Sequence, residues 1–243
     1  MKLRLNRIFL LFLAGALLTL TGCAQAVDHS IAGAIKSSLP NAIGPAQYYV
    51  VTVNSNPIDA AQGRVKQVDI IGKEVSLSAQ LLIDQLTIEA DDVQANVQTR
   101  KVTKVGHVSF EAKIGQDGID HYLAALPNDS PQRKEGLRVT LNESTITAQI
   151  NCRVAGISVP ASVTGTFEVS AADDKHIDFI PDSGSLSIIP IPRFALDFAL
   201  RQINPVIDLT NSNVPVSVDD VTVQANVLQL SGTANLQQGL VQN

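Results

Sequence analysis

The sequence predicts an α+β fold in which a long, highly curved antiparallel sheet wraps around two or three short helices. Three observations carry that expectation. Apolar and polar residues alternate over most of the chain, beginning at Tyr49, Val51 and Val53. The spacing changes to threes and fours in three stretches, 24–39, 117–126 and 193–203. Hydrophobic residues make up 45% of the 243 while aromatics are 4%, with no Trp, so the core must be built from thin aliphatic side chains. Isolated helices among long alternating strands pack best on one face of a curved sheet.

The chain opens on a targeting signal. Lys2, Arg4 and Arg7 precede an apolar run from Ile8 to Leu20, which is short for a bilayer span and reads as a secretory signal. It ends in Leu20-Thr21-Gly22-Cys23, which resembles the bacterial lipoprotein signal. In such signals the Cys thiol takes a diacylglyceryl group and becomes the new N-terminus. This reading is favoured over an uncleaved anchor or an ordinary secretory signal. Residues 1–22 are then the signal peptide, 23–27 the lipidated N-terminus and tether, and 28–243 a single domain. The expected location is the extracytoplasmic face of a cell-envelope membrane, held there by the Cys23 lipid anchor.

Charge narrows the partners. Without residues 1–22 the balance is 15 Lys plus Arg against 23 Asp plus Glu. An acidic body of this kind disfavours nucleic acid, whose phosphates call for a basic patch, and disfavours adsorption to anionic lipid. The apolar content excludes a disordered chain, and 17% charged residues are too few for a coiled coil.

Residues 24–39 form the first expected helix, with Ile31, Ile35 and Leu39 one turn apart and Pro40 as its stop. Strands follow at Tyr48–Val53, Val65–Ile71 and Val75–Ile83, the last two joined by a tight turn at Gly72-Lys73. Next, Leu86, Ile88 and Ala90 face one way, and Val93, Ala95 and Val97 resume one step out of register. Asp91-Asp92 therefore marks a bulge or bend that curves the sheet. Val108 to Ile114 is another half-buried strand.

In the second helix Ile119, Tyr122, Leu123 and Leu126 make one stripe, ended by an exposed loop from Pro127 to Pro131. The second half repeats the scheme. Strands are expected at Leu137–Leu141, Ile146–Val154, Ile157–Val169, around Ile177 and Phe179, and at Leu186–Ile188. Pro190 and Pro192 lead into the third helix, apolar around most of its circumference through Phe194, Phe198 and Ile203. Val214–Val218 and Val221–Leu230 are strand-like, and Asp219-Asp220 before the latter echoes Asp91-Asp92. Wrapping such a helix in a sheet poor in aromatics either leaves an elongated apolar cavity or closes completely.

The chain carries no nucleophile elbow, P-loop, dinucleotide fingerprint or zinc-protease motif, and no cofactor is expected. His29, His107, His121 and His176 are scattered, and each reads as solvated surface before it reads as a metal ligand. The pairs Asp91/Asp92, Asp173/Asp174 and Asp219/Asp220 lack the acidic loop that would wrap calcium, so turn or bulge positions are favoured. Cys152 alternates with Ile146, Ala148 and Ile150 and reads as a small buried hydrophobe before a reactive thiol. Arg133-Lys134 reads as a solvated loop before a lipid-headgroup contact.

The run Gly63-Arg64-Val65-Lys66-Gln67-Val68-Asp69-Ile70 forms a pattern with two later segments. These are Gln85 to Ala90 with Asp92-Val93, and Gly118-Ile119-Asp120-His121-Tyr122-Leu123. Together they resemble the LmeA-like family of exported bacterial phospholipid-binding proteins, over roughly residues 28–236. The family resembles the tubular lipid-binding superfamily, whose curved sheet wraps helices around an acyl-chain cavity. The resemblance implies phospholipid binding or transfer in the envelope without catalysis. Cys23 departs from relatives with a plain signal or membrane anchor, which favours local exchange over free shuttling. The cavity candidates are Ile119, Leu123, Phe194, Phe198 and Ile203 on the helices, with Phe110 and Phe167 on the strands. The rival expectation is a structural or assembly lipoprotein whose closed core docks a protein partner.

Overall fold

A computed structural model describes residues 32–33, 35–37, 39–77, 81–96, 101–130, 133, 136–154, 157–186, 189–192, 204–210 and 215–234. The α+β expectation holds, as two antiparallel sheets with few, short helices. The first sheet runs from β1 (Tyr48–Asn54) through β2 (Arg64–Leu77) and β3 (Leu81–Asn96) to β5 (Val108–Ile114). It ends in β13 (Val227–Ala234) and β12 (Val216–Gln224), with β4 (Lys101–Lys104) paired to the end of β3. The second sheet runs β10 (Ile189–Pro190), β9 (His176–Leu186), β8 (Ile157–Val169), β7 (Ile146–Val154), β6 (Arg138–Leu141). A short β11 (Ile207–Asp208) adds to β9, and among the described residues neither sheet closes on itself.

β1 follows its alternation, with Tyr49 buried and Val51 and Val53 packed against the core. Two residues past its end, Asn56-Pro57 starts an unforeseen helix, α1 (Pro57–Ala61). The Asn56 side chain accepts from Ile58 N at 2.8 Å and Asp59 N at 3.1 Å, and Pro57 occupies a first-turn position that needs no donor. A second correction lies upstream. Residues 39–42 are helical, so Pro40 does not stop the helix. It removes only its own donor, and Ile43 N still closes on Leu39 O at 2.8 Å.

The expected turn at Gly72-Lys73 does not form, because β2 continues through it to Leu77. Gly72 answers a different need. A Cβ there would lie 2.8 Å from the Tyr49 ring and 2.6 Å from Val75 Cγ2. The glycine marks a close approach of β1's aromatic side chain to β2. β2 and β3 stay in one register from Arg64↔Gln94 to Leu77↔Leu81, yet the buried face changes parity twice. Leu81 and Ile83 are buried, then Leu86 and Ala90, then Val93. A left-handed non-glycine residue sits near each change, Glu74 (φ 51) on β2 and Asp92 (φ 50) on β3. The bend expected at Asp91-Asp92 is therefore real, and it has a partner on the neighbouring strand.

The run Val221–Leu230 is two strands, not one. Ala225 (φ 50) and Asn226 (φ 65) form a two-residue left-handed turn between β12 and β13. The register of that hairpin slips between Val218 and Asp220, which places Asp219-Asp220 at a bulge, while Asp173-Asp174 lies in the turn before β9.

One apolar cluster holds residues of both sheets, including Val75, Ile114 and Leu228 from the first and Ile146, Ile177 and Phe179 from the second. Among the described residues, two backbone bonds cross between the sheets. Val218 N donates to Asp174 O at 2.8 Å, and Ala225 N to Glu143 O at 2.9 Å.

Tyr49 is 4% exposed, and its hydroxyl donates to Gly44 O at 2.8 Å. Burial pushes the phenol up to about 12, from an ordinary value of 10.0. The folded state thus holds this proton more tightly than the unfolded chain. The resulting stabilisation is complete below pH 10 and is lost as the pH rises through 12. Urea titrations from pH 9 to 12 should show a loss on the order of 2 kcal/mol from this group. Tyr49→Phe should lack that loss, and an equal alkaline slope in the variant would refute the assignment.

Candidate lipid-binding groove

The chain enters its main helix, α2 (Gln116–Ala125), directly from β5 through Gly115. Ile119 is buried and Tyr122 and Leu123 pack against the core, so the apolar stripe faces inward as its spacing demands. Gly118 sets the approach to the first sheet, since a Cβ there would lie 2.3 Å from Leu82 O. Gln116 sets the approach to the second. Its Nε2 donates to Val139 O at 2.7 Å, and its Oε1 accepts from Leu141 N at 2.9 Å. The carboxamide thereby pairs with β6 as a neighbouring strand would. Tyr122 reaches towards β11, where burial raises its phenol pKa and the Asp208 backbone partly offsets that rise.

Arg133 fixes the far end of α2. Its Nη1 donates to Ala124 O at 2.6 Å and Leu126 O at 2.9 Å, satisfying carbonyls that the last helical turn leaves open. The chain then turns at Gly136 (φ 62), whose N–H donates to Arg133 O at 3.1 Å, and enters β6 at Arg138. A Cβ at Gly136 would also lie 3.1 Å from Asn151 Nδ2, so side chain and backbone conformation both favour glycine.

These elements frame an open groove in two adjoining parts. One part, of about 550 Å³, lies between α2 and β6 and is lined by Leu123, Leu126 and Leu137 with Asp120 and Arg133. The other, of about 500 Å³, crosses β7 and β8 over Ile150, Pro160 and Ala161, with polar Gln149, Asn151 and Ser162. Gly136 and Arg138 line both parts. Each volume falls within the range of small-molecule sites.

Among the seven expected cavity residues, Leu123 lines this groove. Ile119 is 3% exposed in the core beneath it. Phe110 is half-buried on the first sheet, opposite Ile88 and Gly232. Phe167 is 4% exposed on the second sheet, edge-on to Phe179 with ring centres 5.9 Å apart. Phe194, Phe198, Ile203 and the lipidation candidate Cys23 lie outside the described residues. Sequence reading missed Arg138, which lines both parts of the groove, and Gln116, which ties α2 to β6, and Arg133 was read as loop surface. Only Arg133 carried a signal, as a cation close after a helix end.

The other singled-out residues fall on turns and strands. His176 Nε2 lies 3.3 Å from Asp208 Oδ1, and its Nδ1 is 3.9 Å from Asp173. The Asp208 carboxyl is held below its usual range, chiefly by the Thr210 hydroxyl, then by the Thr210 N–H, which donates to it at 2.8 Å, and after these by His176. His107 and His121 are exposed. Cys152 pairs with Val159 across β7 and β8.

Two open sheets over a shared aliphatic core, with a groove beside the helix that packs on both, define an α+β protein of open-sheet type. The family described as LmeA-like phospholipid-binding matches this sequence over residues 18–233, and the chain belongs to that family. A search of curated proteins and a search of solved structures each found no match.

Gln116→Leu keeps the volume but strands a donor at Leu141 and an acceptor at Val139. Each orphaned group costs roughly 1–3 kcal/mol. The variant should lose about 2–4 kcal/mol in chemical denaturation. A loss under 0.5 kcal/mol would show that β6 does not depend on this amide.

Proposed function

We propose that this protein binds phospholipid without chemical conversion and exchanges it locally, while acyl chains on Cys23 hold it at a bacterial envelope membrane. Membership of a phospholipid-binding family carries the reading. The description of that family is of binding, which supports a reading without chemical conversion. The groove beside α2 supplies apolar lining of ligand size, and the core candidates Phe110, Ile119 and Phe167 underlie an aliphatic interior where acyl burial is favourable by about 25 cal/mol per Å². Phe194, Phe198 and Ile203, apolar in sequence and outside the described residues, are the further candidates for that set. The signal-like residues 1–22 and the Leu20-Thr21-Gly22-Cys23 sequence support export and lipidation, with residues 28–243 as the lipid-binding domain. A tether of so few residues confines exchange to the anchoring membrane or one that faces it.

One observation favours the rival reading of an assembly protein. Tyr48, Val50 and Ile71 are 41–49% exposed on the outer face of the edge pair β1–β2. Such an edge is suited to a protein partner as well as to solvent.

Two mass measurements test the proposal. Intact mass of protein from membranes should match a chain beginning at Cys23 and carrying acyl groups, and an unmodified Cys23 would overturn the anchor. Organic extracts of the purified protein should contain phospholipid at a fixed ratio to protein. Repeatedly lipid-free preparations that also take up none from vesicles would sink the binding function and leave the β1–β2 edge as the better lead.

A further inference from the structure

We propose that the groove shared by α2 and β6–β8 is the headgroup site, in which Arg138 takes the phosphodiester of a bound phospholipid with Arg133 set beside it. The inference rests on the phospholipid-binding reading and names the residues that would recognise the charged part of the ligand. Arg138 is exposed and lines both parts of the groove. Among the described residues it has no ion pair or side-chain hydrogen bond, although the chain has five more acidic than basic residues. Arg133 differs from an ordinary loop cation, because its Nη1 is anchored to Ala124 O and Leu126 O. A guanidinium has five donors, so this anchoring fixes the side chain and leaves Nε and Nη2 for a ligand.

The local charge fits one phosphodiester. Asp120 is the groove's carboxylate, and its Oδ1 already accepts from Gln116 Nε2 at 2.9 Å. Among the described residues that line the groove, two guanidiniums against one carboxylate leave a net single positive charge, which a singly charged phosphodiester neutralises. Guanidinium forks match phosphate oxygens in geometry as well as in sign. The flanking surface fits the rest of the lipid. The half-buried Leu123 and Leu126 lie on one side of Arg138, and the exposed Pro160 on the other. Apolar walls on both sides of a cation are the arrangement an amphiphile requires. A free inorganic anion gains nothing from them.

The test exchanges the full chain, in detergent micelles, against phosphatidylglycerol or against a galactosyl diacylglycerol that has chains but no phosphate. Native mass spectrometry reads the lipid retained. Arg138→Gln should lower retained phosphatidylglycerol at least about tenfold, as expected for a lost charge-assisted hydrogen bond, while galactolipid retention stays within about twofold. Arg138→Lys should recover part of the loss. An Arg138→Gln chain that holds phosphatidylglycerol as the parent does overturns the headgroup site and leaves lipid binding intact. Equal loss of both lipids, in a variant whose thermal unfolding is unchanged, also overturns it, since the groove would then serve the acyl chains alone. A parent chain that retains neither lipid fails at the earlier step, and this inference falls with it.

Discussion

The second sheet depends on two side-chain amides that finish its edges. Gln116 pairs with Val139 and Leu141 on β6, and Asn204 pairs with Phe179 on β9, accepting from its N–H at 3.0 Å and donating to its carbonyl at 3.1 Å. An open sheet leaves rows of donors and acceptors that invite pairing with other chains. A carboxamide offers one of each in the spacing of a peptide group, so it continues the ladder for one step and then ends it. Gln116 also belongs to the helix that packs on the first sheet. The same amide therefore seals an edge and fixes the distance between the sheets.

Curvature has an equally local cause. β2 and β3 are 14 and 16 residues long, and a flat pair of that length could not keep one apolar face on a compact core. Glu74 and Asp92 switch the buried parity while the register of the pair holds, so the hairpin bends without slipping. β12 and β13 bend at the Val218/Asp220 slip, and β8 and β9 at the slip between Thr164 and Gly165. Gly165 is required there, since a Cβ would lie 2.0 Å from Ile180 O. Each sheet is thus curved at a few defined residues.

Much of this was legible in the sequence, for a physical reason. Alternation reports which face is buried, so β1, β5, β6 and the inner face of β8 were readable, as was the stripe of α2. The parity change at Asp91-Asp92 was readable because it shifts the apolar pattern itself. Gly72 was misread because a glycine required by the Tyr49 ring looks the same in sequence as a glycine required by a turn. The Ala225-Asn226 turn was missed because two left-handed residues break the chain without breaking the apolar alternation around them. Gln116 and Arg138 carried no signal at all. A polar residue's partner is set by tertiary placement, and no local pattern announces it.

Sheet edge and groove wall meet in α2. The helix lines the groove through Leu123 and Leu126, and its first residue holds β6. Freeing α2 from β6 orphans Leu141 N and Val139 O, at a cost of about 1–3 kcal/mol per group. The contacts that finish the edge of the second sheet therefore also hold in place the helix that lines the groove.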